Sequence, residues 1–379
     1  MNDKIKSYAE VHKTQMFDTL KELCAIPAPS YLEHQRAAYC KAWLEAVGAT
    51  NVYIDEALNV IFPLGCENSS EITVFAAHTD TVFPDTEPMP YFDDGERIHC
   101  PGVSDDTASV TVLMLMAKFF IENRLLPQKG ILFVCNSCEE GLGNLKGVKH
   151  LFKSYAGRIS RFISFDSSLN SVVDGCVGSH RYEVEVLTEG GHSFSAFGKP
   201  NAIAALSKIV NEIYKIEVPE KEGVRTTYNV GTVSGGTSVN TIAQNAKMLC
   251  EYRSDDLECL AVMQAKFKDI FEKANTEDVS VRVTPVGERP CGNIDREKVE
   301  SFKALCVPVI EEVIGQKVAF KSASTDCNVP LSMGIAALCL GVDIHSGTHT
   351  REEWVDKASL VLGLEMAIKL GVKLAEVTL

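Results

Sequence analysis

The chain has 379 residues, 45% of them apolar, and carries 51 acidic against 37 basic side chains for a formal charge of −14. That length predicts about two domains, the apolar content excludes a disordered chain, and the negative charge excludes nucleic acid, whose phosphates need a basic footprint. Thirteen cysteines, odd in number and without framework spacings, predict reduced thiols rather than a secreted disulfide scaffold.

In chain order, the charged N-terminal stretch MNDKIKSYAEVHKTQMF lacks the apolar core of a signal peptide, so a cytoplasmic protein is expected. Two amphipathic helices are predicted around residues 8–24 and 31–47. Apolar runs of strand length at Ile72 to Ala77, Ile131 to Cys135, Phe162 to Phe165 and Ala336 to Leu340 alternate with helical patterns, the mark of an α/β sheet covered by helices. The apolar stretch Val110 to Leu126 is broken by Lys118, Glu122 and Arg124, which predicts a buried helix and no membrane span. Between residues 180 and 288 the pattern changes to strand (Tyr182 to Leu187), helix (Asn201 to Ile216) and strand (Thr226 to Val233). Strand (Lys247 to Arg253), helix (Leu257 to Ala274) and strand (Val279 to Pro285) complete the βαββαβ order of a ferredoxin-like α+β domain. Because the first pattern then resumes, the expected catalytic domain is discontinuous, 1–178 and 290–379, with a mixed, mostly parallel sheet and an inserted domain over 179–289.

His78-Thr79-Asp80 closes the run ITVFAA, where open α/β sheets place their ligands. Residues two apart on extended chain share a side, so His78 can bind a metal while Asp80 orients its imidazole; a surface histidine beside a turn acid is the plainer alternative. Asp105 and Asp106 precede a helix expected over residues 107–120, where one carboxylate can bridge two cations or the pair can cap the helix. Glu139 and Glu140 are adjacent carboxylates that would repel without a cation, and their divergent directions allow one to ligate and the other to act as general base. Asp166, after Phe162 to Phe165, repeats the design, and His349 follows the last strand.

Together, HTD, GVSDD, NSCEEG, FDSS, GGHS with PNAI, NTIAQNAKMLCEYR, STDCN and THTREE resemble, in order and spacing over nearly the whole chain, the dinuclear zinc exopeptidase and deacylase family. That family includes tripeptidase T, bacterial glutamate carboxypeptidase, aminoacylase and succinyl-diaminopimelate desuccinylase. The resemblance implies two Zn2+ per subunit, with Co2+ or Mn2+ as substitutes: His78 and Asp166 on one ion, Glu140 and His349 on the other, and Asp105 between them. It also implies Glu139 as general base, Asp80 as the partner of His78, and a metal-bridging hydroxide as nucleophile. Three carboxylates and one hydroxide would balance the four positive charges. His192 resembles the inserted-domain histidine that reaches the partner's active site, which implies a homodimer with a dimerisation (lid) domain. Asn240 and Arg253 resemble a clamp on a substrate carboxylate. Thr107 departs from the lysine many relatives carry, and His345, four residues before His349, is a competing ligand.

Asp166 in place of Glu, and GSHRYEVEV leading into GGHS, resemble the tripeptidase and dipeptidase branches, so the expected activity is exopeptidase, aminopeptidase-like, on short peptides. An N-acyl-amino-acid deacylase or amidohydrolase is the alternative, and a catalytically inactive peptide-binding dimer is disfavoured because all five ligands and Glu139 are present. Two motifs point elsewhere. GLGNLKG has its third glycine one residue late for a dinucleotide fold and follows two acids, which would repel a pyrophosphate. Cys135-Asn136-Ser137-Cys138 precedes the same acids, which disfavours a redox thiolate, and no second pair completes a structural zinc site.

Overall fold

The sheet that organises the chain is built from runs with no polar face. In this computed structural model, which describes residues 2–67 and 69–377, the strands Ile72–His78 and Gly130–Asn136 are buried at every position, as parallel strands covered on both faces must be. They pair in parallel with Ala77 opposite Cys135 and His78 opposite Asn136. Ile159–Phe165 lies parallel on the other side of Ile72–His78, and Ala336–Leu340 lies parallel beyond it. Antiparallel neighbours, Val60–Leu64 on one side and Ser171–Cys176 on the other, make the eight-stranded sheet mixed. The four central parallel strands therefore end at one edge, on His78, Asn136, Phe165 and Leu340.

The chain divides into two compact units, Met1–Cys176 with Asn293–Leu379, and Val177–Gly292. In the first, the helix Ala108–Glu122 is buried from residue 108 through 120, so it is apolar all round rather than amphipathic. The first helix, Asn2–Cys24, begins well before residue 8 because its buried stripe reaches back through Ala9 to Ile5. The second, His34–Ala46, starts after residue 31 because Tyr31 holds a left-handed φ of 73° that ends any helix there. A second, four-stranded sheet of short segments, ordered His345–Ser346, Trp354–Asp356, Arg97–His99, Phe92–Asp93, escaped the sequence reading because segments of two or three residues carry no periodicity.

In the second unit Gly178–Leu187, Thr226–Gly235, Asn245–Ser254 and Ser280–Arg289 form an antiparallel sheet. Numbered by chain position its order is 4-1-3-2, that of a ferredoxin-like domain. Asn245–Ser254 alternates strictly between half-buried and buried residues, so only one face meets the helices Ala202–Ile213 and Leu257–Ala274. Asn201 caps the first of these through Ile203 N and Ala204 N, and Asp256 caps the second through Cys259 N. Val184, Leu206, Met248, Tyr252 and Phe267 belong to this unit's own core. Among the described residues no helix is long and apolar enough to cross a membrane. All thirteen cysteines are buried and free.

Candidate metal centre

Every candidate ligand sits at or just beyond the C-terminal ends of the four central strands, or on the loop held by the short second sheet. His78 ends its strand; its backbone N–H donates to Asp106 Oδ2 at 2.8 Å, and its Nδ1 lies 3.0 Å from the Asp80 carbonyl oxygen. With Nδ1–H donated there, the lone pair of Nε2 is turned outward. That Nε2 lies 2.9 Å from Asp105 Oδ1, while His349 Nε2 lies 2.9 Å from Asp105 Oδ2 and 3.3 Å from Glu140 Oε1. One carboxylate thus faces two imidazoles, one with each oxygen. Donor atoms of His78, Glu139 and Asp166 lie within 4.8 Å of one another, and so do those of His78, Asp105 and Glu140.

The backbone around these groups is irregular and heavily bonded. Neither Asp105 nor Asp106 caps the following helix: both have non-helical dihedrals, and the cap residue is Thr107. Their loop is held by Glu353, whose buried carboxylate accepts from Gly102 N (2.8 Å), Ser104 N (2.7 Å), Ser104 Oγ (2.6 Å) and Asp105 N (3.1 Å). Cys138 and His349 hold left-handed φ values of 56° and 65°, a conformation that non-glycine residues keep only where surrounding bonds impose it. Asp80 does more than orient His78. Its carboxylate is 3.4 Å from Nδ1 but accepts from Glu139 N at 2.9 Å, Glu140 N at 3.0 Å and Ser30 Oγ at 2.6 Å, so it fixes the acidic pair.

Charge shows what the pocket lacks. Burial, and then the Asp105 carboxylate, push Glu140 up to about 7, and burial followed by Asp105 also raises Asp166. Burial opposes protonation of His78, yet Asp106 and Asp105 hold it well above its usual range. Hydrogen bonds to Asp105 and Glu140 carry His349 up to about 10. Carboxyls that retain protons beside imidazoles that gain them describe a pocket short of positive charge. Glu140 Oε1 is buried and meets only the 3.3 Å approach of His349 Nε2, too poorly aligned for a full hydrogen bond, an arrangement a cation would complete. Two ligands on one tetrahedral ion lie about 3.3 Å apart, close to the imidazole–carboxylate separations here, so the donor set fits a pair of divalent cations. His349, about half exposed, is the most open of the five, with Asp105 and Asp166 partly buried and His78 and Glu140 buried.

The remaining candidates fall elsewhere. His345 is held by Asp343 at 2.5 Å through Nδ1, whereas His349 is the histidine whose Nε2 approaches Asp105 and Glu140. His192 pairs with Thr241 in a two-stranded ribbon of the inserted unit. Asn240 accepts from Ser238 Oγ at 2.8 Å, and Arg253 is engaged by Glu251 on its own strand at 2.7 Å through Nε. Thr107 Oγ1 donates to the Gly102 carbonyl at 2.5 Å and accepts from Arg36 Nη1 at 3.2 Å.

In GLGNLKG a Cβ on Gly147 would stand 2.4 Å from Ser137 O, so that glycine serves close packing. In the C-x-x-C segment, burial and Glu33 push the Cys138 thiol up to about 12, and a hydrogen bond with Cys40 together with burial raises Cys135. Sequence reasoning missed Glu33, whose Oε1 accepts from Cys138 N at 3.0 Å, and Asp326, held by Asn136 at 2.6 Å. Ser30 and Glu33 have the spacing of a capping box, but Glu33 makes no capping bond and both side chains serve the acidic loop.

Residues 74–371 match the peptidase family M20/M25/M40. A peptidase M20 domain-containing protein of Schizosaccharomyces pombe is 24% identical over 265 residues, 65% of this chain. The match spans about three fifths, 62%, of that relative's length. The fold is shared with a tripeptidase from Staphylococcus aureus (TM-score 0.74, 21% identity, covering 96% of this chain and 98% of that one). It is shared too with the dipeptidase Dug1p of Saccharomyces cerevisiae (TM-score 0.76, 14% identity, 99% of both chains).

Proposed function

This chain belongs to the peptidase family M20/M25/M40, and on that premise we propose that it is a metal-dependent exopeptidase that hydrolyses an amide bond in short peptides. The observation that carries the reading is Asp105 facing His78 with one oxygen and His349 with the other, amid Glu139, Glu140 and Asp166. His78, Asp105, Glu140, Asp166 and His349 would hold two divalent ions; the mixed imidazole and carboxylate donors suit Zn2+, with Co2+ or Mn2+ as substitutes. When bound, such a pair supplies electrophilic polarisation of the scissile carbonyl and acidifies water.

The chain's own groups do the rest. Glu139, its backbone N–H fixed by Asp80 Oδ1, is the general base: it takes a proton from the attacking water and returns it to the departing nitrogen, restoring its carboxylate. Asp80 accepts from the backbone N–H of both Glu139 and Glu140 and so fixes the turn that carries them; Glu139 moves protons while Glu140 ligates. From the resemblance alone we assign His192 as a donor to the developing oxyanion, contributed within a homodimer, and Asn240 with Arg253 as the clamp for a terminal carboxylate. Arg253 would have to exchange Glu251 for substrate.

Structural likeness to a tripeptidase and a dipeptidase favours short peptides over N-acyl amino acids, the alternative substrate class. Assay of the purified chain on di- and tripeptides beside N-acetyl and N-succinyl amino acids decides between them. Glu139→Gln should lower kcat by about two to four orders of magnitude while metal content stays unchanged. Near-normal turnover in that variant would reject the assignment of the base.

A further inference from the structure

Among the described residues of the larger unit, Arg36 is the one buried arginine, 2% exposed, and no carboxylate pairs with it. An ion placed in a dry interior is costly unless its hydrogen-bonding groups are satisfied. Arg36 meets that condition with oxygens from three separate segments. Nε donates to the Ile26 carbonyl at 3.1 Å and Nη2 to that of Leu23 at 3.2 Å, both just at or beyond the end of the first helix. Nη1 donates to the Thr79 carbonyl at 2.9 Å and to Thr107 Oγ1 at 3.2 Å. Thr79 lies between His78 and Asp80, and Thr107 directly follows Asp105 and Asp106. The hydroxyl of Thr107 passes the contact on to Gly102, whose N–H is held by Glu353.

One guanidinium therefore ties the loop that presents His78 to the loop that presents Asp105, and both to a helix end. It hydrogen-bonds to none of the five ligand side chains. We propose that Arg36 is a positioning residue for the metal centre: its rigid fork sets the His78 and Asp105 loops in register, and its charge offsets the carboxylates buried around them. A lysine could supply the charge but not the fork, because its three donors on a flexible stem cannot match four oxygens fixed on three segments. The inference rests on the metal reading of the site given above.

The test is calorimetric titration of the full-length metal-free chain with Zn2+ alone, comparing wild type, Arg36→Met and Arg36→Lys, with far-UV circular dichroism as the check on folding. Folded Arg36→Met should bind zinc about 10- to 100-fold more weakly, Arg36→Lys should fall between it and wild type, and KM for peptide at saturating zinc should keep its wild-type value in both. A purely structural role would not separate metal affinity from fold and KM in this way. Folded Arg36→Met with wild-type zinc affinity overturns the proposal. Should that variant not fold, Arg36→Lys decides: weakened zinc binding supports the proposal and wild-type binding overturns it. Tight zinc binding by wild type and Arg36→Met alike sinks this inference alone, whereas a wild type that takes up no zinc sinks it together with the metal reading.

Discussion

At the scale of single residues, His78, Glu140, Asp166 and His349 are raised toward their protonated forms, while Asp105, against its burial, is held below the usual carboxylate range by hydrogen bonds to His349 and His78. His349, pushed up to about 10, and Glu140, pushed up to about 7, both bind protons more tightly in the folded chain than when unfolded. A group raised on folding contributes stability that is fully present below its unfolded pKa and is lost as pH rises through the folded value. The window for Glu140 opens near the ordinary carboxylate range and closes at about 7; that for His349 opens near 6.5 and closes at about 10. The metal-free protein should therefore melt at progressively lower temperature from pH 5 to pH 9. Zinc binding at pH 7 should release protons, because the ligands must be deprotonated. Calorimetric titrations in buffers of different ionisation enthalpy measure that release; buffer-independent heats would contradict the account.

Elements matter here chiefly through where they stop. Four parallel strands end at one edge, the loop after Gly130–Asn136 is fixed by Asp80 and Glu33, and the Asp105 loop, which follows Arg97–His99, is fixed by Glu353. Glu353→Gln keeps the size but turns an amide N–H2 toward backbone N–H donors. It should cost about 1–3 kcal/mol of stability and weaken zinc binding about 10- to 100-fold, measured by thermal melting and metal titration; a variant unchanged in both would remove Glu353 from its supporting role. The same contrast separates what the sequence disclosed from what it hid. His78, Glu139, Glu140 and Asp166 follow apolar strand-length runs, so position along the chain announced them. Glu33 and Arg36 stand in a stretch, LEHQRAA, whose charges look like an ordinary solvated helix face, and only packing turns them inward. The strands around Arg97–His99 and Trp354–Asp356 are too short to show a period, though they hold the loop that carries His349.

For the molecule as a whole, the inserted unit leaves and rejoins the larger one at neighbouring points: Arg296 donates to the Asp174 carbonyl at 3.3 Å, and Lys303 pairs with the Asp174 carboxylate at 2.7 Å. A short Gly-Ser linker in place of residues 178–291 should therefore leave a folded, metal-binding remainder. That remainder should hydrolyse no peptide, since His192, Asn240 and Arg253 are gone; full activity would show that the inserted unit takes no part in the chemistry. The βαββαβ order of that unit was legible because each strand and helix is long enough to carry its own pattern. Side-chain partners were not, as with Arg253, which turns to Glu251. The most direct test of the central claim is anomalous diffraction from crystals of the full chain grown with zinc. Two peaks about 3.5–4 Å apart, between His78, Asp105, Glu140, Asp166 and His349, are the predicted result; a single peak, or peaks away from those five side chains, would contradict it.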